Sequence, residues 1–102
     1  MHLIQILLPL YDNTHHPFAV DKFEQVRKEL VDRFGGLTAY VRSPATGLWR
    51  DTPFTAVRDE IVIYEIMTAD LDLVWWAEYK EDLSLRFHQT KLVIRAMETR
   101  LL

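Results

Sequence analysis

The chain has no cysteine, and only three of its 102 residues are glycine. The lack of cysteine excludes disulfide bonds, thiolate metal sites and cysteine nucleophiles, and it suits a reducing cytoplasm, where we expect the protein. Three glycines, two of them adjacent, are too few for a glycine-rich phosphate-binding loop. Any chemistry must therefore come from carboxylates, imidazoles, hydroxyls, amides, amines and guanidinium groups.

The chain has no excess of positive charge, since 12 basic residues stand against 15 acidic ones and the formal net charge is −3 at pH 7. Nonspecific binding to nucleic acid or to an anionic membrane surface requires a basic patch, so we expect neither partner. The apolar run at 3–10 is too short to span a bilayer, and it lacks the basic start and small-residue cleavage site of a signal peptide. We interpret this run as a strand.

Two apolar stripes with helical spacing organise the sequence. They consist of Phe23, Val26, Leu30 and Phe34, and of Trp76, Tyr79, Leu83 and Phe87. Strand-like runs at 3–10, 37–42, 61–67 and 92–97 flank them. The resulting β-α-β-β-α-β order predicts an α+β, ferredoxin-like fold, a four-stranded antiparallel sheet with two helices on one face. With 49% hydrophobic and 26% charged residues, we expect 1–102 to form this single domain.

The ends of both helices carry recognisable signals. Asp21, followed three residues later by Glu24, predicts a capping box at the start of the first helix. The pair Gly35-Gly36 predicts its end. The second helix is expected to begin after Asp70 or Asp72 and to end near residue 88.

Side-chain alternation divides each predicted strand between two faces. The face opposite the helices is expected to contain Leu3, Gln5, Leu7, Tyr40, Arg42, Ile61, Ile63, Glu65, Met67, Val93, Arg95 and Met97. This face is too apolar for water, and such a patch usually marks an interface or a ligand groove. We therefore predict a homodimer through this face, with a small-molecule cavity between the stacked sheets as the sharper alternative.

The predicted strand order is fourth, first, third, second. It brings three segments to one end of the molecule, namely 11–17, the long connection at 43–58 and the end of the second helix. We therefore expect His15, His16, Trp49, Arg50 and His88 at this end.

Six residues form the candidate ligand-binding set. They are Tyr40, Arg42, Trp49, Arg50, Glu65 and Arg95. A guanidinium group binds planar oxygen pairs, so a small anionic or carbonyl-bearing ligand is predicted, with Trp49 as an apolar lid. The alternative is a salt-bridge network within a dimer, with Trp49 sealing the sheet edge.

His15 and His16, together with Asp12 and His88, have the donor types of a nitrogen–oxygen metal site. Adjacent histidines rarely bind one ion together, so we predict a solvated loop, no metal and no cofactor. The sheet also lacks the stacking aromatics with which a sheet of this topology binds RNA, which argues against RNA as a partner.

The segment from Arg33 to Tyr40, continuing to Gly47-Leu48-Trp49, resembles a group of small bacterial proteins of about this length that have no assigned activity. In architecture the chain also resembles the dimeric α/β-barrel superfamily, which includes cofactor-independent monooxygenases. The second resemblance implies a site on the sheet face, but it assigns no catalytic residue.

Two functions follow from these observations. The first is a non-catalytic dimeric domain that binds a small metabolite or a protein partner. The second is a cofactor-independent, monooxygenase-like enzyme with its site on the sheet face. An enzyme needs a concave pocket with convergent titratable groups, whereas a structural dimer would bury the charged residues in mutual contacts. The sequence does not decide whether the protein is an enzyme.

Overall fold

The computed structural model describes residues 1–42 and 61–102, and within them six elements follow one another in the predicted order. They are β1 (His2–Pro9), α1 (Val20–Phe34), β2 (Thr38–Arg42), β3 (Ile61–Thr68), α2 (Leu73–Arg86) and β4 (Val93–Glu98). Neither helix of these two segments is long and apolar enough to cross a membrane.

The four strands form one antiparallel sheet in the order β2-β3-β1-β4. Read from the other edge, this order is β4-β1-β3-β2, the order derived from the sequence. β1 lies in the interior of the sheet and pairs with β3 from His2↔Thr68 to Pro9↔Ile61. It pairs with β4 from His2↔Glu98 to Leu7↔Val93. This central strand therefore fixes which residues of β3 and β4 stand side by side.

Both helices pack on the same face of the sheet. The buried cluster between the two layers consists of Ile4, Ile6, Leu8, Val26, Leu30, Val62, Tyr64, Ile66, Trp76, Tyr79, Leu83, Phe87 and Leu92. The four residues of the second apolar stripe are all buried, while Phe23 and Phe34 at the ends of the α1 stripe are partly buried against the same cluster. The predicted placement of two helices on one face is confirmed.

The predicted capping box of α1 is wrong. The helix begins at Val20, and its N-cap residue is Ala19, which makes no side-chain cap. Asp21 therefore lies inside the first turn, where a carboxylate still favours the helix dipole. Glu24 binds Arg27 at 2.7 Å instead of the helix start. The other end agrees with the sequence, because Gly35 adopts the left-handed conformation (φ 84°) that ends many helices.

α2 begins where the sequence predicted. Asp72 is its N-cap and accepts a hydrogen bond from the Trp75 backbone amide at 3.0 Å. Trp75 lies on the flank of the helix and is partly buried against the core cluster. Its ring stacks on Tyr79 at 4.7 Å and lies 4.1 Å from the Arg33 guanidinium. These contacts join the end of α1 to the start of α2.

Candidate functional site

The side of the sheet that carries no helix is the candidate functional surface. In β1, Ile4, Ile6 and Leu8 point into the core, so the alternate residues point to the other side. We call this side the open face. By strand register it comprises Leu3, Gln5, Leu7, Thr38, Tyr40, Ile61, Ile63, Glu65, Met67, Val93, Arg95 and Met97. The division of β3 agrees with the prediction, since Val62, Tyr64 and Ile66 all lie in the core.

A row of polar side chains crosses the middle of the open face. Gln5 stands in register with Glu65 on one side and with Arg95 on the other. The Gln5 amide nitrogen donates to Glu65 Oε1 at 2.6 Å, and Arg95 Nε donates to Gln5 Oε1 at 2.6 Å. The amide of Gln5 therefore connects a negative charge on β3 to a positive charge on β4.

Apolar side chains lie on both sides of this polar row. One apolar row contains Tyr40, Ile63, Leu7 and Val93, and the other contains Met67, Leu3 and Met97. Val93 and Met67 are each 48% exposed and Met97 is 42% exposed. Ile63 differs from its neighbours, because it is only 1% exposed. The exposed apolar surface is thus smaller than the sequence predicted, and Ile63 is not part of it.

A groove of about 240 Å³ opens where the α1–β2 turn meets the open face. Its lining residues are Leu3, Phe34, Gly36, Leu37, Thr38, Glu65, Ile66 and Met67. Most of these side chains are apolar, while Glu65 supplies a carboxylate and Thr38 a hydroxyl. A small number of polar groups in a mainly apolar concave surface is typical of ligand-binding sites.

The structure brings together part of the predicted ligand-binding set. Glu65 and Arg95 lie in one row, and Tyr40 lies on β2 in the neighbouring row, in register with Ile63. Arg42 is the last residue of β2. Trp49 and Arg50 lie outside the described residues. The predicted anionic ligand beside these two residues therefore stays a prediction.

Sequence reasoning missed Gln5 and the residues of the α1–β2 turn. Gln5 is a polar residue within the apolar run of β1, and this exception to the pattern could have indicated a functional residue. Its importance depends on the register that aligns it with both charged residues. The groove was not foreseeable in this way, because the path of the turn at 35–37 creates it. It lies at the end of the sheet opposite to that expected for the ligand.

The histidines of the loop after β1 take part in local hydrogen bonding. Asp12 Oδ1 accepts from the backbone amides of Thr14 at 2.8 Å and His16 at 2.9 Å. The hydroxyl of Thr14 also lies 2.7 Å from His16 Nδ1. The pKa of Asp12 is lowered, most strongly by the hydrogen bond from the His16 amide and next by the one that the Thr14 hydroxyl donates to the same carboxylate. Within residues 1–42 and 61–102, no three histidine or carboxylate side chains are arranged to hold a metal ion.

His88 has a different environment, although it lies near the same end of the molecule. Its backbone adopts a left-handed conformation (φ 50°) just after α2. Its ring stacks on Phe18, with 6.4 Å between the ring centroids. This contact joins the segment before α1 to the end of α2, as the topology predicted.

Comparison with known proteins finds a solved structure of similar fold but assigns the chain to no family. No family model and no curated protein matches the sequence. Among solved structures, the chain is similar to a phage SAM lyase in complex with S-methyl-5'-thioadenosine. The TM-score is 0.63 at 12% sequence identity, over 95% of this chain and 80% of that chain. A likeness at this level of identity shows a shared α+β fold alone.

Proposed function

We propose that this chain is a ferredoxin-like, non-catalytic binding domain that takes a small molecule on its open face and associates with a second copy through the same face. The observation that carries the proposal is the groove in which the Glu65 carboxylate stands among apolar side chains. Grooves of this composition orient a ligand through a few polar groups while its apolar part is removed from water.

The groove favours a ligand with hydrogen-bond donors at one end and an apolar body. A carboxylate accepts hydrogen bonds from ribose hydroxyls, as acidic residues do in dinucleotide sites. Leu3, Leu37 and Met67 supply the apolar contacts, and a methionine sulfur packs well against aromatic rings. A nucleoside that carries a small thioether has both features. The S-methyl-5'-thioadenosine bound to the phage SAM lyase is such a compound and is the first probe to test.

Isothermal titration calorimetry with S-methyl-5'-thioadenosine and with SAM tests this proposal. We expect saturable binding to the wild-type protein and binding about 10- to 100-fold weaker for Glu65→Gln, since a hydrogen bond to a charged group contributes about 1.5–3 kcal/mol. Glutamine still accepts the hydrogen bond from Gln5, so the row is kept. Glu78→Gln, an exposed change on α2, is the matched control. Failure of both probes to bind would exclude nucleoside thioethers as the ligand class.

An enzymatic role is the second candidate function. It is favoured by the likeness to a lyase, whose fold this chain shares. Incubation of the wild-type protein with SAM, followed by chromatography of the mixture, tests it. Consumption of SAM that stops in Glu65→Gln but continues in Glu78→Gln would establish an enzyme with its site in the groove. Binding without consumption would leave the non-catalytic function.

A further inference from the structure

The groove lies where β3 extends beyond β2. Thr38 is the first residue of β2 and stands opposite Glu65, whereas β3 continues to Thr68. On its other side β3 is paired with β1 as far as His2↔Thr68. One edge of β3 beyond Glu65 therefore has no strand beside it in the part of the chain that the structure describes. Met67 lies on this edge and lines the groove.

One hydrogen bond at the end of the sheet shows which way the backbone groups of each strand point. The Thr99 amide donates to the Met1 carbonyl at 3.0 Å, so the odd-numbered residues of β1 direct their N–H and C=O toward β4. These directions alternate along an antiparallel strand, so the even-numbered residues of β1 direct theirs toward β3. Pro9 fits this pattern, because the N–H that it lacks would point away from β3.

Met67 is the residue whose backbone points to the unpaired side of β3. It stands opposite Leu3, an odd-numbered residue that bonds β4, so the Met67 N–H and C=O point away from β1. Gly36 would be their partner if β2 began two residues earlier, but β2 begins at Thr38. Neither group forms a hydrogen bond within residues 1–42 and 61–102. A main-chain donor and a main-chain acceptor therefore stand side by side at the groove.

We propose that these two backbone groups bind the base of an adenine nucleoside. The Met67 C=O accepts a hydrogen bond from the 6-amino group, and the Met67 N–H donates one to the ring nitrogen beside it. Adenine presents such a donor next to an acceptor at its edge. This inference rests on the proposed function, in which Glu65 binds the ribose hydroxyls, and it adds the contact that selects the base.

The position of Met67 relative to Glu65 suits a single nucleoside. The two residues are two positions apart on β3, so they differ by about 6.8 Å along the strand. Both line the same groove, and its volume of about 240 Å³ suits one base and one sugar rather than a dinucleotide. Phe34 and Leu37 add apolar surface to the lining, against which a planar base loses its contact with water.

The free edge of β3 is too short to bind a peptide as an added strand. A peptide that extends a sheet forms main-chain hydrogen bonds along several alternate residues. β3 ends at Thr68, so within this strand Met67 alone beyond Glu65 directs its backbone to the unpaired side. One donor and one acceptor match the edge of a planar heterocycle, which needs no longer contact.

Solvent exchange of the backbone amides, measured by NMR, tests the geometry of this edge before any ligand is added. In the free protein the Met67 amide should exchange at least about 10-fold faster than that of Ile66, which points toward β1. Saturation with S-methyl-5'-thioadenosine should slow the Met67 amide at least about 10-fold. The Asp21 amide is the control, because it lies in the first turn of α1, where amides have no intrahelical partner, and its rate should not change.

Calorimetry with two compounds tests the contact to the base. They are S-methyl-5'-thioadenosine and its analogue in which unsubstituted purine replaces adenine. Loss of the 6-amino group leaves the Met67 carbonyl without its donor, so we expect the analogue to bind about 10-fold more weakly. Glu65→Gln should weaken both compounds by the same factor, because it acts at the ribose. Glu78→Gln on α2 should leave both affinities unchanged.

The outcomes separate this inference from the proposed function. Equal affinity of the wild-type protein for the two compounds, together with weaker binding by Glu65→Gln, would overturn the contact to the base and leave the nucleoside site. Slow exchange of the Met67 amide in the free protein would also overturn it, since the group would already have a partner. Binding of neither compound would overturn the contact to the base and the nucleoside site together.

Discussion

The Tyr79 hydroxyl donates a hydrogen bond to Glu29 Oε1 at 3.0 Å and so connects α2 to α1. Arg86 donates to the same carboxylate oxygen at 2.8 Å and also binds Asp82 at 2.6 Å. Glu29 is half-buried, and its carboxylate accepts hydrogen bonds from two side chains of the facing helix. These contacts connect α1 and α2 to each other on the side of the sheet that carries the core.

Replacement of Glu29 should destabilise the fold. Glu29→Ala removes the acceptor of Tyr79 and one of the two carboxylate partners of Arg86, so we expect the free energy of unfolding to fall by about 1–3 kcal/mol. Urea denaturation measures this change. The matched control is Glu24→Ala, which breaks the exposed pair with Arg27 and should change the free energy by less than about 1 kcal/mol. Equal effects of the two changes would refute the structural role of the network.

The same carboxylate makes stability depend on acid pH. Partial burial acts to raise the pKa of Glu29, but hydrogen bonds from Arg86, Gln25 and Tyr79 outweigh it, and the pKa is lowered from its ordinary value of 4.5. In the unfolded chain the ordinary value returns, so the unfolded state takes up the proton first as the pH falls. The free energy of unfolding should therefore decrease below about pH 4.5, until the lowered pKa is passed.

Urea midpoints of the wild-type protein and Glu29→Gln between neutral pH and pH 3 check this dependence. The variant should lose less stability over that range. The pKa of Asp12 is also lowered, chiefly by the hydrogen bond from the His16 backbone amide, so some acid dependence remains in both proteins. Identical slopes for the two proteins would show that Glu29 does not contribute.

The two adjacent glycines after α1 should respond in opposite directions to alanine. Gly35 has φ 84°, a conformation in which a Cβ atom is strained, so Gly35→Ala should lower the free energy of unfolding by about 1–2 kcal/mol. Gly36 has no such φ and nothing within 4 Å of an added Cβ. Gly36→Ala should therefore be neutral or stabilise by up to about 1 kcal/mol, because it restricts the unfolded chain. Denaturant titration of both variants would contradict this account if their effects had the same sign.

Leu7 is the open-face residue whose replacement should weaken association of two copies most directly. It is half-buried in the single chain and lies on the face that we propose to associate with a second copy, so Leu7→Lys would place a charge in an apolar contact. Each buried leucine contributes about 1.5–3 kcal/mol, and its loss should convert the dimer to a monomer at micromolar concentration. Light scattering measures the mass. Leu85→Lys, a change at a 73% exposed site on α2, is the control and should leave the mass unchanged.

The sequence predicted those parts of the fold that periodicity alone encodes. The alternation of β1 and the three-and-four spacing of α1 and α2 each place side chains on one side of one element. The link between Glu65 and Arg95 depends on two separate strand registers that meet at Gln5, and no local pattern contains that information. The groove beside Gly36 depends in the same way on segments distant in the chain, since Leu3, Phe34 and Glu65 all line it.

Chemical-shift mapping of the backbone amides during titration with S-methyl-5'-thioadenosine tests the central claim most directly. If the groove on the open face is the binding site, the largest shifts should fall on Gly36, Leu37, Thr38, Glu65 and Met67. Amides on the outer surface of α1, such as those of Gln25 and Lys28, should not move. Shifts concentrated on α1, or none at millimolar ligand, would contradict a nucleoside thioether site on the open face.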